Sequence, residues 1–381
     1  MSYRRHPLSS VIALHFTLLA LCGSAFGQSV EGLPAGIDPG AELILDALRV
    51  ARGGDSTGNA FIGKLSLTLD YDSEVAGRRK GTHGRLNVLG TFGDSFSELA
   101  GDLQVASNIE AGDDLRIFEA WIEQSIGSRA SILVGYSDFN AEFDVAETAA
   151  GLLNSSFGVG PDVSQAGPSI FPRSYPGLRL RVAGTSGMYA IAGGWKDVPF
   201  PEPDAVSGRE LDGTFGAVEG GWTRESFGPV GSPKLAVGVW RFEAHGSRDH
   251  NDAIGGVYAL AEGVHQLSGG RTVGGFIRAG RALEGSGPVR EYVGAGVRLE
   301  AIVRSRPDDE LAFGIARASL SREMSARMGT SAETTVELNW KFQLTERMAI
   351  VPDVQFVMAP AGGRHVRDAL LFGVRTVLTL D

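Results

Sequence analysis

The segment Glu333-Thr334-Thr335-Val336-Glu337-Leu338-Asn339-Trp340-Lys341-Phe342-Gln343 alternates between apolar and polar residues. Successive side chains of an extended strand point to opposite faces, so one face would carry Val336, Leu338, Trp340 and Phe342. The other face would carry Glu333, Glu337, Asn339 and Lys341. Strands with one apolar and one charged face are typical of a sheet packed on a core, or of a barrel with a polar interior.

The same period-two pattern recurs along most of the chain and predicts about sixteen strands, an even number in the porin range. The predicted spans are 60–71, 84–93, 98–109, 115–124, 129–138, 177–183, 188–196, 214–224, 234–246, 253–265, 271–282, 289–302, 309–320, 332–343, 348–358 and 369–380.

Connector lengths favour the barrel over the packed sheet. The odd-numbered connectors are mostly the longer set: 72–83, 110–114, 139–176, 197–213, 247–252, 283–288, 321–331 and 359–368. The even-numbered ones are mostly tight turns, such as 94–97, 125–128, 184–187 and 344–347. Long loops outside and short periplasmic turns are expected of a transmembrane β-barrel, and such a barrel must close because lipid cannot satisfy a free sheet edge.

The connector 139–176 is far longer than usual, and its Phe, Ile and Leu residues argue against disorder. A barrel of this size has an aqueous channel that a loop can narrow. The sequence therefore predicts an all-β fold: a closed antiparallel transmembrane β-barrel of about 16 strands, with a long third external loop folded into the lumen.

The two ends of the sequence and its composition limit the possible domain organisation and partners of the protein. Residues 1–27 have the charged start, apolar middle and small-residue end of a cleavable signal peptide. Residues 28–59 are predicted to be an N-terminal periplasmic segment, in which Asp46–Arg52 forms a short helix or an extra strand, and 60–381 to be the barrel. A net charge of −10 argues against nucleic-acid binding, and the single cysteine lies within the predicted signal peptide.

No catalytic elbow, zinc-binding His pair or phosphate loop is found, so we expect no enzymatic activity, no metal and no cofactor. Aromatic residues near strand ends are expected to form the girdles at the two membrane interfaces. The candidates are Tyr71, Tyr136, Trp222, Trp240, Trp340 and Phe372.

Several motifs, in order and at compatible spacing, resemble the carbohydrate-selective porins of the OprB type. They are Leu103–Ala111, Phe118–Gln124, Gly135–Val145, Leu152–Gly158 and Gly167–Pro172. The resemblance covers most of the chain after the signal peptide and is concentrated in 102–172. It implies passive, sugar-preferring diffusion across the outer membrane of a Gram-negative bacterium.

Sugar recognition requires a flat apolar surface for the ring and paired polar groups for its hydroxyls. On the strands we expect Phe118, Ala120 and Ile122 to face lipid. The expected lumen-facing residues of the wall are Arg85, Glu119, Trp121, Glu123, Arg179 and Arg181. Trp121 is either a sugar platform or a residue packed beneath the long loop, and the sequence leaves both open.

In the long loop, Asn140, Glu142 and Asp144 are expected to share one face, with Phe139, Phe143 and Val145 as anchors. Asn154 and Arg173 complete the candidate set. The arginines are expected to face the loop carboxylates across the pore. For any one of these residues, a salt bridge that stabilises the loop is an alternative to direct contact with the solute.

The leading hypothesis is a porin for passive diffusion of small carbohydrates through a loop-constricted, water-filled channel. A general or ion-biased diffusion porin is the alternative. A hydrolase with a site at the barrel rim and a non-conducting structural barrel are further alternatives. The expected partners are small carbohydrates and outer-membrane lipid, and the sequence leaves monomer and homotrimer both open.

Overall fold

The computed structural model describes residues 33–199, 212–224, 231–245, 253–284 and 287–380, and the predicted signal peptide 1–27 lies outside them. These residues contain sixteen strands: β1 (Ile37–Gly54), β2 (Gly58–Asp72), β3 (Thr82–Gly93), β4 (Asp114–Ile126), β5 (Ala130–Ser137), β6 (Tyr175–Ala183), β7 (Met188–Pro199), β8 (Asp212–Thr223), β9 (Ser232–Ala244), β10 (Ala253–Gln266), β11 (Thr272–Glu284), β12 (Val289–Glu300), β13 (Glu310–Leu320), β14 (Ala332–Thr345), β15 (Met348–Met358) and β16 (Arg367–Leu380).

Short helices lie between some of the strands. The α-helices of the described ranges are α1 (Ser97–Ala100), α2 (Pro161–Ser164) and α3 (Arg322–Met328). The 3-10 helices are Phe139–Ala141, Glu147–Ala149, Ser155–Phe157 and Thr185–Gly187. No helix within these ranges has the length and apolar character needed to cross a membrane.

The strands form one closed antiparallel barrel in which each strand pairs with its neighbours in sequence and β1 pairs with β16. The closing pair sets Asp46 opposite Arg375 and Ala41 opposite Leu380. Closure leaves no free sheet edge, as the hydrocarbon core of a membrane requires. The predicted barrel is confirmed.

The alternation in the sequence corresponds to the two faces of the wall. On β9, the side chains of Val237 and Val239 are exposed on the outer face, whereas Trp240 and Phe242 are buried inside. Trp240 is therefore an interior residue, and its prediction as a girdle aromatic was wrong. The exposed apolar outer face suits lipid.

The strand count was right because two errors offset each other. The segment predicted as a short helix or an extra strand belongs to β1, which pairs with both β2 and β16, so the barrel begins before residue 60. The predicted strand 98–109 does not exist. There, Gly101 and Val105 adopt left-handed backbone angles, with φ of 67° and 56°, which are incompatible with an extended strand.

The same correction moves two predicted connectors to the opposite end of the barrel: the predicted loop 72–83 lies at the short-turn end, and the predicted turn 94–97 is part of a long connector. The long-loop end holds the connectors 94–113, 138–174, 321–331 and 359–366, together with the short first turn 55–57. The short-turn end holds 127–129, 184–187, 267–271 and 346–347, together with the longer connectors 301–309 and 73–81. The sequence had placed 73–81 among the external loops. The connector 138–174 still follows the fifth strand and is the third loop at its end.

Inner-face aromatic rings lie over glycines of the adjacent strand. Phe242 covers Gly213, and Tyr258 covers Gly238, so that a Cβ at either glycine would overlap the ring. This arrangement lets large rings lie flat against the wall and leaves interior volume for the loops.

Candidate functional site: the filled lumen and its open wall

Two connectors from the long-loop end fold into the barrel: L2 (94–113) and L3 (138–174). L3 packs against the wall formed by β7–β10 in an apolar cluster. Phe139 and Phe143 stack at a centroid distance of 5.1 Å, and Trp195 meets both rings edge-on at 5.8 Å. Phe139 and Phe143 thus anchor the loop, as the sequence predicted.

Further along, L3 packs against β11–β13. Leu152 and Phe157 join a cluster that includes Phe276 and Tyr292. L2 forms a third cluster against β1, β2, β15 and β16, through Phe96, Ala100, Ala106 and Ile109. The two loops also hydrogen-bond each other, since the Asn108 N–H donates to the Leu153 carbonyl. Together they form a plug attached to most of the wall.

Glutamates of the wall accept hydrogen bonds from the loop backbone. Glu337 accepts from the N–H groups of Leu153 and Asn154 at 2.6 and 2.9 Å. Glu333 does the same for Leu103 and Gln104, both at 2.8 Å. Glu219 accepts from the Asp144 N–H, and Glu262 from the Thr148 N–H and hydroxyl. Charged acceptors make these hydrogen bonds stronger than neutral ones.

Arg278 of β11 is a buried cation of the wall that contacts loop L3. Its Nε and Nη2 donate to Asp144 at 2.8 Å each, and it also pairs with Asp162. Tyr292 and Tyr258 lie beside the guanidinium at 5.0 and 5.6 Å. Burial raises the pKa of the loop residue Asp144 to about 6, against the lowering effect of Arg278, and the Asp162 charge adds to the rise. Two carboxylates sharing one guanidinium give this cluster a net negative charge.

The wall formed by β3–β6 is different. No buried residue of these strands belongs to the three apolar clusters of the described residues. Arg85 makes a two-point contact with Asp70 at 2.7 and 2.9 Å and lies 3.8 Å from Glu119. The indole N–H of Trp121 donates to Glu119 at 3.1 Å. This open wall therefore carries a partly exposed aromatic ring held between charged groups.

A second charged group continues the open wall on β4 and β6. Arg179 donates to Glu123 at 2.9 Å and to the hydroxyl of Ser131 at 2.7 Å. It also forms an ion pair with Glu142 of L3 at 2.5 Å, and Arg181 contacts the same carboxylate at 3.1 Å. Arg179 and Arg181 touch the loop carboxylate directly, so the expectation that they face it across the pore was wrong. Arg85 instead pairs with Asp70 and Glu119 of the wall.

The structure separates three residues that the sequence placed on one face of the loop. Glu142 contacts the open wall, whereas Asp144 is buried against Arg278. Asn140 lies in the 3-10 helix Phe139–Ala141 and its side chain donates to the Phe143 carbonyl at 3.1 Å. The prediction failed because the helical turn and the left-handed φ of 57° at Asp144 break the alternation.

The two remaining loop candidates lie apart. Asn154 is fully buried, where it donates to Gln355 and accepts from the Ser156 N–H and hydroxyl, so it holds the loop structure. Arg173 is exposed and lies 3.7 Å from Asp114 at the long-loop end. The structure therefore brings together Arg85, Glu119, Trp121, Glu123, Arg179 and Glu142, but not Asn140, Asp144, Asn154 or Arg173.

A bulge changes the face assignments on β4. The register against β3 shifts between Asn87 and Val88, opposite the Ile117–Glu119 segment. Leu115 and Ile117 are exposed on the outer face before the bulge, and Ile122 after it, while Phe118 is buried. The prediction that Phe118 faces lipid was wrong, because the extra residue of a bulge reverses the alternation.

Sequence reasoning missed Arg278, Glu219, Glu262 and Asp162, which hold L3 in place. Glu219 and Arg278 occur on strands that were predicted, where they stand out as charged residues next to apolar outward ones. That alternation could have identified them as inner-face residues. It could not have paired them with L3, because Arg278 and Asp144 are 134 residues apart. The described residues contain no group of His, Cys, Asp or Glu side chains that could hold a metal ion.

A closed sixteen-stranded barrel with a loop folded into its lumen defines the class of the outer-membrane diffusion porins. The family model of the carbohydrate-selective porins, OprB family, matches residues 57–380. The chain belongs to this family and is an outer-membrane sugar porin.

Solved structures with the same fold include two forms of Pseudomonas putida OprB. The high-pH form is 18% identical, with a TM-score of 0.77 over 91% of this chain and 94% of that one. The low-pH form is 15% identical, with a TM-score of 0.59 over 91% and 93%. The outer-membrane channel DcaP of Acinetobacter baumannii is 11% identical, with a TM-score of 0.55 over 93% and 99%. No curated protein sequence matches the chain significantly.

Proposed function

We propose that mono- and small oligosaccharides diffuse through the space between the open wall (β3–β6 with Asp70 of β2) and loop L3. The observation that carries this proposal is the one-sided apolar packing of the loops. Their apolar side chains pack against β7–β13 and against β1, β2, β15 and β16. The inner face of β3–β6 carries charged and aromatic side chains, of which Tyr175, at the start of β6, packs partly against an apolar cluster.

Trp121 is the proposed contact for the apolar face of a sugar ring. Its hydrogen bond to Glu119 fixes the plane of the indole, and the ring remains partly exposed. Arg85 beside it is itself held by Asp70. A rigid aromatic surface next to oriented donors and acceptors is the combination that a hydroxylated ring requires.

The charge balance of the open wall favours a neutral solute over an ion. The charged groups around Trp121 and Arg179 are the cations Arg85, Arg179 and Arg181 and the anions Asp70, Glu119, Glu123 and, from L3, Glu142, while Arg116 pairs with Asp114 nearer the long-loop end. Most of these groups contact a group of opposite charge. Such a surface offers hydrogen bonds at many points with little net field, whereas an ion-biased porin would display a ring of one sign.

Single-channel conductance in planar bilayers tests the proposal. Glucose and maltooligosaccharides are expected to reduce the ion current in a saturable way. Replacing Trp121 by alanine should weaken this block about fivefold, the loss of roughly 1 kcal/mol of aromatic contact, with a smaller effect on the current without sugar.

Trp222→Ala is the matched control, because Trp222 lies on β8 and donates to the Ser186 carbonyl at the short-turn end. A pore that sugars do not block, or one with strong ion preference and no block, would favour the general porin. Equal effects of Trp121→Ala on block and current would favour packing as the role of Trp121.

We further propose that transport is passive and involves no catalytic step, and that residues 1–27 are removed on export. Amino-terminal sequencing of the protein from outer membranes tests the second point. A first residue before position 20 would contradict it.

A further inference from the structure

We propose that the outer face of β8–β13, near the long-loop end, binds a phosphorylated lipid with its acyl chains in two apolar hollows. The first hollow, of about 690 Å³, spans β8–β12. Its floor includes Gly220, Val237, Val257 and Ala279, and its upper edge is Arg281 with Glu291. One continuous depression thus combines an apolar floor with a cationic end.

A second hollow, of about 790 Å³, lies beside the first and shares Val218, Val239 and Val257 with it. Its lining includes Arg241, in the same half of the barrel as Arg281. The register sets Arg281 opposite Val257, and Val257 opposite Val239, so the two arginines border one stretch of wall. Two neighbouring hollows, each with an arginine at its upper edge, fit a lipid with more than one acyl chain.

This patch carries several exposed arginines, although the whole chain has a net charge of −10. Its exposed cations on four strands are Arg241, Arg281, Arg290 and Arg317. The acids seen beside them are Glu243, 2.7 Å from Arg241, and Glu291, 3.4 Å from Arg281. Exposed ion pairs of this kind contribute little stability, so a phosphate can replace the carboxylates as partner of the guanidinium groups.

A third hollow on the same side of the barrel supplies a contrast. It lies toward the short-turn end and is lined by Met188, Trp222, Leu235 and Ile277, among others, with no charged residue. Acyl chains alone would suffice to cover it. Of these three hollows, the two with an arginine lie in the long-loop half, which corresponds to the outer leaflet if the long loops are external.

Native mass spectrometry of the full chain in non-ionic detergent tests the proposal, with dioleoyl phosphatidic acid and dioleoyl phosphatidylcholine as probes. The wild-type barrel is expected to retain the phosphatidic acid several-fold more than the phosphatidylcholine. The double variant Arg241→Gln, Arg281→Gln should lower its retention about tenfold. The control Arg347→Gln removes an exposed arginine at the short-turn end and should change nothing.

A second variant tests the apolar part of the site. Apart from the residues next to Gly220 in the chain, no atom lies nearer than 4.0 Å to the position that a Cβ would take there. Gly220→Leu therefore fills the first hollow without a steric clash at the Cβ. It should reduce retention of both lipids. The proposal would be overturned if the wild type retained the two lipids equally, or if the double variant retained phosphatidic acid as the wild type does. Release of the bound lipid by millimolar inorganic phosphate, or an arginine-dependent oligomer in place of bound lipid, would also overturn it.

Discussion

Replacing Arg278 by alanine is expected to release loop L3 from the wall and widen the pore. Arg278 is the only charged side chain that hydrogen-bonds the side chains of both Asp144 and Asp162 within the described residues. The side chains of both aspartates are fully buried. Without the guanidinium, two carboxylates would remain in the interior with no counter-charge.

The magnitude follows from this burial. Removing one partner of a buried ion pair costs about 3–5 kcal/mol, because it leaves an uncompensated charge. If L3 moves out as a unit, that cost appears as a shift of about 100-fold to 1,000-fold or more in the equilibrium between the seated and displaced loop. The barrel itself is held by the ladders of its sixteen strands, so we expect it to remain folded.

Single-channel recording measures the displacement directly. Arg278→Ala channels should show larger, fluctuating conductance and weaker sugar block. The control is Arg281→Ala on the same strand, whose side chain is half exposed in a surface ion pair and should leave conductance unchanged. Adding Asp144→Asn and Asp162→Asn to Arg278→Ala should partly restore the seated loop, since the unpaired charges are then gone. Wild-type conductance and sugar block in Arg278→Ala would refute the reasoning.

Three further outcomes are expected. Glu337→Gln should weaken loop anchoring by about 1.5–3 kcal/mol, seen as larger conductance, because two backbone N–H groups lose their charged acceptor. The pKa of Asp144 is about 6 in the folded protein, against an ordinary value of 3.8 for an aspartate, so the stability that its protonation contributes is gained as pH falls through 6 and lost as pH rises. Asp162→Asn should make the thermal unfolding temperature depend less on pH, because the Asp162 charge is one cause of the raised pKa. Gly213→Ala should lower unfolding stability by about 1–3 kcal/mol, because the added methyl overlaps the Phe242 ring.

Most of the fold could be predicted because the alternation of a strand is local. Each strand shows its two faces within about ten residues, and the outer face must be apolar whichever strand it pairs with. The failures occurred where the backbone departs from extended geometry. Val105 has the side chain of a strand residue and a left-handed φ, and Phe118 lies at a bulge. Nothing in the neighbouring residues indicates either departure.

The open wall could also be predicted in part, for the same reason. Glu119, Trp121 and Glu123 lie two residues apart on one strand, so placing one on the inner face places all three. The alternation could not show which of the inner-face charged residues anchor L3. Arg278 and Arg179 are both buried inner-face arginines that pair with carboxylates of L3, yet Arg278 lies on the side of the apolar clusters and Arg179 lies on the open wall. That difference depends on the path of L3, which contacts between distant parts of the chain decide.

The mode of loop attachment explains how the pore can be narrow on one side and open on the other. A loop in a water-filled barrel must satisfy its backbone N–H groups, and here wall glutamates on β8, β10 and β14 accept them. Those acceptors lie on the same side as the apolar clusters, so both kinds of contact pull L3 toward that wall. Glu142 is the exception, since it extends back to Arg179 and Arg181. These ion pairs cross from the plug to the open wall inside the barrel, whereas the pair of Arg173 with Asp114 lies at the long-loop end. Glu142 is therefore the loop residue best placed to control the width of the passage.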